Sequence, residues 1–355
     1  MGLNDLCLEH VLQYLELEDQ IHFARSCLCF RGVYQLATAR LHKTMHLTQF
    51  KGMTVWDMRD FFKLSGCHVQ HLVGSTNTTR SQRLWKRNIS DGSLLALRSL
   101  RSLKTLTLDG NPLHGDTLPK LPTTIESLSL NECKELRGVC LTKTFKALPQ
   151  LKELSIKNTF TIGSEFFQTI IKDNSCALLE TLRITATGGG NYELVAQLPS
   201  LKHLFVSTGT YDYSPLRKEL FEQLVKHKAE QLERLEITGS AVLTTEMLVH
   251  ISKLVGLHTL CLNPICLDRV LGKFSSLVKL EQLTLGQSNS VSDSALLKLF
   301  NSCRKLNILE VDRELNLEKL LPGIVAQVRK EMANKELLRK LPIQLRTYFV
   351  SSSIW

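Results

Sequence analysis

Apolar residues recur along this chain in one six-residue pattern: an apolar residue, two variable positions, Leu, one variable position, and a second apolar residue. Copies start at Leu103, Ile125, Leu151, Leu179, Leu201, Leu232, Leu257, Leu280 and Leu306, so successive starts lie 22, 26, 28, 22, 31, 25, 23 and 26 residues apart. The last two apolar positions of each copy are two residues apart, and in an extended chain such residues point to the same side. Each copy therefore predicts a short strand. In the third, Leu154 and Ile156 go inward while Glu153 and Ser155 face out. One such strand cannot bury its apolar side alone, whereas stacked neighbours bury a continuous core.

Between copies the spacing turns helical. In the stretch 291–303, Ser292 is suited to an N-cap, Asp293 falls in the positive first turn, and Ala295, Leu296, Leu299, Phe300 and Cys303 share a face. Phe166, Phe167, Ile170 and Ile171 form a similar face, as do Leu220, Leu224 and Val225. The prediction is an α/β solenoid with parallel strands inside and helices outside. Unit length and leucine spacing are those of the leucine-rich repeat, whose unit is about 20–29 residues. The ninth position of that repeat takes Asn or Cys, bonded to backbone at the turn. Asn111 and Cys133 fit, Thr159, Thr187 and Ser240 are small polar substitutes, and Ile265 and Glu314 do not fit.

The opening segment follows a different period. Leu3, Leu8, Val11, Leu12 and Leu15 lie on one helical face, and 16–19 interrupt it. Ile21, Ala24 and Leu28 restart the spacing, and Val33, Leu36 and Ala37 continue it. Two or three short helices result. About forty residues is the lower limit for independent stability, so this module leans on the repeats or on a partner.

Composition narrows the function. Hydrophobic residues at 43% and charged residues at 22% suit a globular chain, and no apolar run reaches the ~18 residues of a spanning helix. No signal-peptide pattern opens the sequence. Ten cysteines without a Cys-x-x-Cys read as reduced structural thiols of a cytoplasmic or nuclear protein. The formal charge of +10 is partly local: Arg80, Arg83, Lys86, Arg87, Arg98, Arg101 and Lys104 cluster with Asp91 as the one nearby acid. Such a cluster is either a solvated edge or a patch for an acidic or phosphorylated partner. Trp85 is its only aromatic, which argues against nucleic acid, since single-strand binders interleave stacking residues. Gly188-Gly189-Gly190 lacks the Lys-Ser/Thr of a phosphate loop, and no His-Glu-x-x-His or triad signature occurs. No catalytic residue, metal or cofactor is expected.

The segment from Leu3-Asn4-Asp5-Leu6 through His10-Val11-Leu12-Gln13-Tyr14-Leu15 to Leu17 and Asp19, with Cys27 and Phe30 further on, resembles the F-box. Asn4 stands where that motif has Pro, and Phe30 where Trp is common. Leu41, Met45, His46 and Leu47 resemble the short strand that often follows it. An F-box ahead of leucine-rich repeats resembles the F-box/leucine-rich-repeat family, and Cys303-Arg304-Lys305-Leu306 is similar to that family's cysteine-containing repeat. The expected layout is an F-box-like helical module over 1–48, an irregular or degenerate-repeat region over 49–102, repeats over 103–312, and an amphipathic cap with a polar tail over 313–355.

The resemblance implies a non-catalytic substrate-recognition subunit of an SCF (Skp–cullin–F-box) ubiquitin ligase. Leu3, Leu8, Val11, Leu12, Leu15, Ile21 and Phe30 would serve the Skp-family adaptor, and through it the cullin and RING subunits. Some of these must form the module's own core. A protein substrate would meet the outward strand positions, among them Arg183, His203, Phe205, Arg234 and Glu236. Two other readings remain: a leucine-rich-repeat scaffold or inhibitor without ubiquitin chemistry, and an enzyme whose site lies in the strand face.

Overall fold

Each copy of the six-residue pattern folds as the strand it predicts. The computed structural model describes residues 4–50, 52–74, 91–159, 164–186, 192–209, 216–239, 243–263, 268–286, 291–311, 317–347 and 351–354. Leu3, the basic residues from Arg80 to Arg87 with Trp85, the triglycine at 188–190, and turn positions Thr187, Ser240, Ile265 and Glu314 lie outside them. The chain divides into two units: Met1–Ile162 with Lys172–Leu178, and Gly163–Ile171 with Leu179–Trp355.

In the first unit the helices α1 (Asp5–Leu12), α2 (Leu17–Ser26), α3 (Leu28–Leu41) and α4 (Val55–Leu64), with a later helix over Gly138–Ala147, accompany five parallel strands. These are β1 (Thr44–His46), β2 (His71–Val73), β3 (Thr105–Thr107), β4 (Ser127–Ser129) and β5 (Glu153–Ile156), paired in chain order. Met45, Leu72, Leu106, Leu128 and Leu154 fall in one register row, all buried. Two strands thus precede the first copy recognised in the sequence. The region 49–102 supplies one, with Val69 and Leu72 in the inward slots and Gly74 where the last apolar residue belongs. β1 supplies the other. By the same register its first inward slot is His42, a buried imidazole in a leucine's place.

The second unit stacks β6 (Thr181–Ala186), β7 (His203–Thr208), β8 (Arg234–Thr238), β9 (Thr259–Leu262), β10 (Gln282–Leu285), β11 (Ile308–Val311) and β12 (Ile343–Thr347), all parallel, and β13 (Ser351–Ile354) closes antiparallel on β12. Leu182, Leu204, Leu235, Leu260, Leu283, Leu309 and Leu345 make its inward row. The segment 313–355, read in the sequence as a cap without repeat, contains a helix (Leu317–Ala333) and this further parallel strand. The register shows why the pattern hid it. Pro342 stands where the first apolar residue of a copy belongs and Thr347 where the last does, and only Leu345 keeps its slot.

Turns and helix ends are satisfied locally. Buried Asn111 donates to the carbonyls of Leu108 (2.9 Å) and Gly74 (2.8 Å), Cys133 Sγ lies 3.3 Å from the Leu108 carbonyl, and Thr159 Oγ1 donates to Ile156 at 3.2 Å. Ser292 Oγ accepts from the Ala295 amide at 3.3 Å, starting the helix Asp293–Ser302. Opposite charges meet at the residue before several strands. Glu126 lies 3.3 Å from Lys104 and 2.8 Å from Lys152 in the first unit, and Glu180 lies 3.0 Å from Lys202 in the second. Lys152 and then Lys104 draw the Glu126 carboxyl below its ordinary range. Exposed pairs of this kind add little stability, and here they mark register.

Candidate functional site

The helical module sorts its apolar residues into two sets. Asn4 caps α1, its Oδ1 accepting from the Cys7 amide at 2.8 Å, so the exchange of Pro for Asn at this position leaves the helix start secured. Cys27 caps α3, its Sγ 3.4 Å from the Phe30 amide. Phe30 is half-buried and stacks on Phe23 with centroids 4.3 Å apart. Leu8 and Leu12, one turn apart on α1, are buried with Ile21, Ala24, Val33, Tyr34 and Ala37, and Leu15 is half-buried. Leu8, Leu12 and Ile21, expected among the adaptor contacts, are therefore core, because α1 packs on α3 and α2 on α3. Among the described members of the expected set, Val11 alone is exposed. Four large apolar residues not expected among the adaptor contacts are exposed as well: Leu6 and Tyr14 from the α1 segment, and Leu28 and Leu36 from α3. Tyr14 is 76% exposed and Leu28 80%. Leu6 and Tyr14 lie off the Leu8–Leu12 stripe, whereas Leu28 and Leu36, whose spacing continues that of the buried Ile21 and Val33, are exposed by the packing of α3. A folded chain seldom leaves five large apolar residues exposed in one small module without a partner.

A buried polar chain ties the module to β1. Gln20 donates to the carbonyls of Leu12 and Leu15, each at 3.0 Å, and its Oε1 lies 2.8 Å from His42 Nε2. His42 Nδ1 is buried without a partner. Tyr34 and Phe61 flank the ring, and Ser65 donates to the Tyr34 hydroxyl at 2.7 Å. Burial, with the charge of His68 adding to it, pushes the imidazole down to about 4 from an ordinary 6.5. The folded state thus holds His42 neutral. The stability this contributes is present above pH 6.5 and is lost as pH falls toward 4. Thermal melting between pH 7.5 and pH 4 is expected to show a falling midpoint across that window. His42→Leu should flatten the fall, and an unchanged slope in that variant would assign the acid sensitivity elsewhere.

Glu18, His22 and Asp57 bring one donor atom each within 4.8 Å, a metal-like grouping that the chemistry disfavours. Asp57 Oδ2 already accepts from the Thr54 amide (2.8 Å) and Oγ1 (2.6 Å), and its Oδ1 is held by Arg25. The Thr54 hydrogen bonds, then Arg25, bring the Asp57 carboxyl down to about 2. A dication would have to displace the guanidinium, so the cluster is a joint between α2 and α4.

On the second unit, the five substrate candidates come together. Outward rows run Thr181, His203, Arg234, Thr259 and, two residues on, Arg183, Phe205, Glu236, Cys261. The Arg183 guanidinium lies 3.5 Å from the Phe205 ring centroid and that of Arg234 lies 5.2 Å from it. Arg234 Nε donates to Glu236 at 2.7 Å, and His203 lies 3.6 Å from Glu233. Phe205, expected to be exposed, keeps only 9% of its surface, because the two arginines cover it. Cys261 sits half-buried at the end of the row. Burial, with Glu236 and Glu310 adding to it, raises its thiol to about 11, so it stays protonated and unreactive near neutrality.

The first unit presents a different face. Thr105, Ser127 and Glu153 form one row and Thr107, Ser129 and Ser155 the other. These side chains already bond locally: His71 to Thr105 at 2.7 Å, Ser127 to Glu153 at 3.1 Å, Ser129 to Asp109 at 2.7 Å, and Ser155 to Asn131 at 2.8 Å.

Among solved structures the chain is similar to three leucine-rich-repeat proteins. An internalin (inlF) from Listeria monocytogenes is 14% identical over 74% of this chain and 78% of that one, with a TM-score of 0.39. Rad7, in its complex with Elc1 from yeast, is 18% identical over 66% and 70%, with a TM-score of 0.45. TLR13, in a complex with ssRNA13, is 16% identical over 72% of this chain and 41% of that one, with a TM-score of 0.44. No family model matches the chain, and no curated protein does. At these scores no function transfers from the three structures.

Proposed function

We propose that this chain is the substrate-recognition subunit of an SCF-type ubiquitin ligase, docking a Skp-family adaptor through the helical module and a protein substrate through the outward face of β6–β9. The observation that carries the reading is the exposed set Leu6, Val11, Tyr14, Leu28 and Leu36 on a three-helix module whose own core is already complete. The chain itself performs no chemistry on this reading. It acts by proximity, raising the effective concentration of substrate lysines beside a ubiquitin-charged enzyme recruited through the adaptor, cullin and RING subunits, in the cytoplasm or nucleus. The protonated thiol of Cys261 and the ion-paired Arg234 and Glu236 support a contact surface over a reactive one. Arginine and aromatic residues are also the types that dominate protein contacts.

The test is a binding assay between the purified chain and a purified Skp-family adaptor. A stable complex is expected. Its absence would turn the reading to a repeat scaffold that binds a protein without ubiquitin chemistry. On the substrate side, Arg183→Glu is expected to cut substrate capture at least tenfold, the scale of an arginine contact worth over ~1.4 kcal/mol. Phe205→Ala is a poorer probe, since its ring supports both arginines. Capture measured from cells treated with a proteasome inhibitor checks this, and an unaltered yield with Arg183→Glu would move the substrate site off β6–β9.

A further inference from the structure

Helix α4 lies beyond the F-box-like segment and carries the pair Val55 and Trp56 outward, the tryptophan 64% exposed. Its neighbour Asp57 is buried, so the helix is docked and the tryptophan faces away from the contact. Arg59, one turn on, stacks over the indole at 4.5 Å. The pair is held from below. Thr54 and Asp57 form a reciprocal cap at the helix start, Arg59 lies 3.4 Å from Asp60, and Asp60 lies 2.9 Å from Arg25 on α2. Arg25 also grips Asp57. Three residues after Arg25, the exposed Leu28 opens α3. The ion pairs from Arg59 through Asp60 to Arg25 thus join α4 to the end of α2, three residues before the exposed Leu28.

We propose that the adaptor-docking surface does not end with the F-box-like helices but continues over α4, with Trp56 and its stacked Arg59 as a principal contact. The proposal rests on the adaptor reading above. Three observations choose the adaptor as occupant. The first is continuity: Arg59, stacked on the tryptophan, is linked through Asp60 to Arg25 at the end of α2, which leads directly into Leu28 of the proposed contact set. The second is area. A buried aromatic removes roughly 150–250 Å² from water, about a fifth or more of the ~800 Å² each partner contributes to a standard interface, and the small module alone has few large side chains to offer. The third is preorganisation. A tryptophan fixed by a docked helix and a stacked guanidinium loses little freedom on binding, and Trp and Arg are the residue types most enriched at energetic centres of interfaces. The complementary site on the adaptor is an apolar pocket with a carboxylate at its rim to meet Arg59.

The experiment measures the affinity of the full-length chain for a purified Skp-family adaptor by calorimetry. Trp56→Ala is expected to weaken binding roughly thirtyfold or more, the effect of removing a central contact. Trp56→Phe should retain most of the affinity, and Val278→Ala, an exposed apolar position in the second unit, should change nothing. Melting temperatures matching the parent confirm that the variants fold. If Tyr14→Ala and Leu28→Ala weaken binding while Trp56→Ala does not, the extension over α4 is wrong and the adaptor reading survives. If the parent chain binds no adaptor, the adaptor reading itself is wrong and the extension goes with it.

Discussion

Arginine placed at Leu28 or Tyr14 is expected to abolish adaptor association while leaving the melting temperature of the chain close to that of the parent. Both side chains are largely exposed, so a charge there stays hydrated in the free protein, where surface changes move stability by only about ±0.5 kcal/mol. In the complex the same charge would be buried without a partner, a penalty of roughly 3–5 kcal/mol when no counter-charge is present. Leu12→Arg is the informative contrast. Leu12 is fully buried between helices, so arginine there breaks the module's core and lowers the melting temperature along with binding. Paired measurements of affinity and melting for the three variants separate surface from core. Retained binding by both Leu28→Arg and Tyr14→Arg would remove this face from the interface.

The second large effect is expected at Arg339, in the segment between the helix Leu317–Ala333 and β12. Its side chain is fully buried and stacks over Phe300 at 3.7 Å. Every one of its N–H donors is matched. Nε and one terminal nitrogen meet the two carboxylate oxygens of Glu331, each at 3.0 Å, and the remaining hydrogens reach the carbonyls of Phe300 (2.7 Å), Cys303 (2.9 Å) and Leu306 (2.8 Å). Those carbonyls belong to the end of the helix Asp293–Ser302 and the approach to β11, where a helix lacks its own donors. Arg339→Ala leaves the Glu331 carboxylate in the interior without its counter-charge, with the Gln327 amide as its remaining side-chain donor, and takes a donor from three carbonyls, at an expected cost of about 3–5 kcal/mol. Arg339→Lys should recover little, because three tetrahedral donors cannot reproduce the planar fork. Denaturant unfolding measures the loss, and a value below about 1 kcal/mol would mean that water replaces the guanidinium without strain. Glu331→Gln combined with Arg339→Ala should cost less than the two changes summed, since removing both charges removes the unpaired one.

The sequence by itself determined the repeat architecture. Whether Leu154 or Leu235 points inward depends on alternation along a few residues of extended chain, and every copy obeys the same local rule. The same alternation placed Arg183, His203, Phe205, Arg234 and Glu236 on the outward side, and the register of β6–β8 assembles them. Local rules also reached the helix start at Ser292, where one side chain meets one nearby amide, while the caps at Asn4 and Cys27 emerged only in the structure. Tertiary structure decided the rest, because it depends on which surfaces meet. His42 and β12 belong to the strand stack through their neighbours' register, since their own residues break the apolar pattern. Helix spacing put Leu8, Val11 and Leu12 on one side of α1, but only packing against α3 fixed that Leu8 and Leu12 fill the core and Val11, Leu6 and Tyr14 do not. Phe205 points outward as its position requires, yet it is covered, because Arg183 and Arg234 come to it from the strands on either side. Arg339 and its carbonyl acceptors are tens of residues apart in the chain, and no local pattern connects a guanidinium to carbonyls that only the folded unit brings within reach.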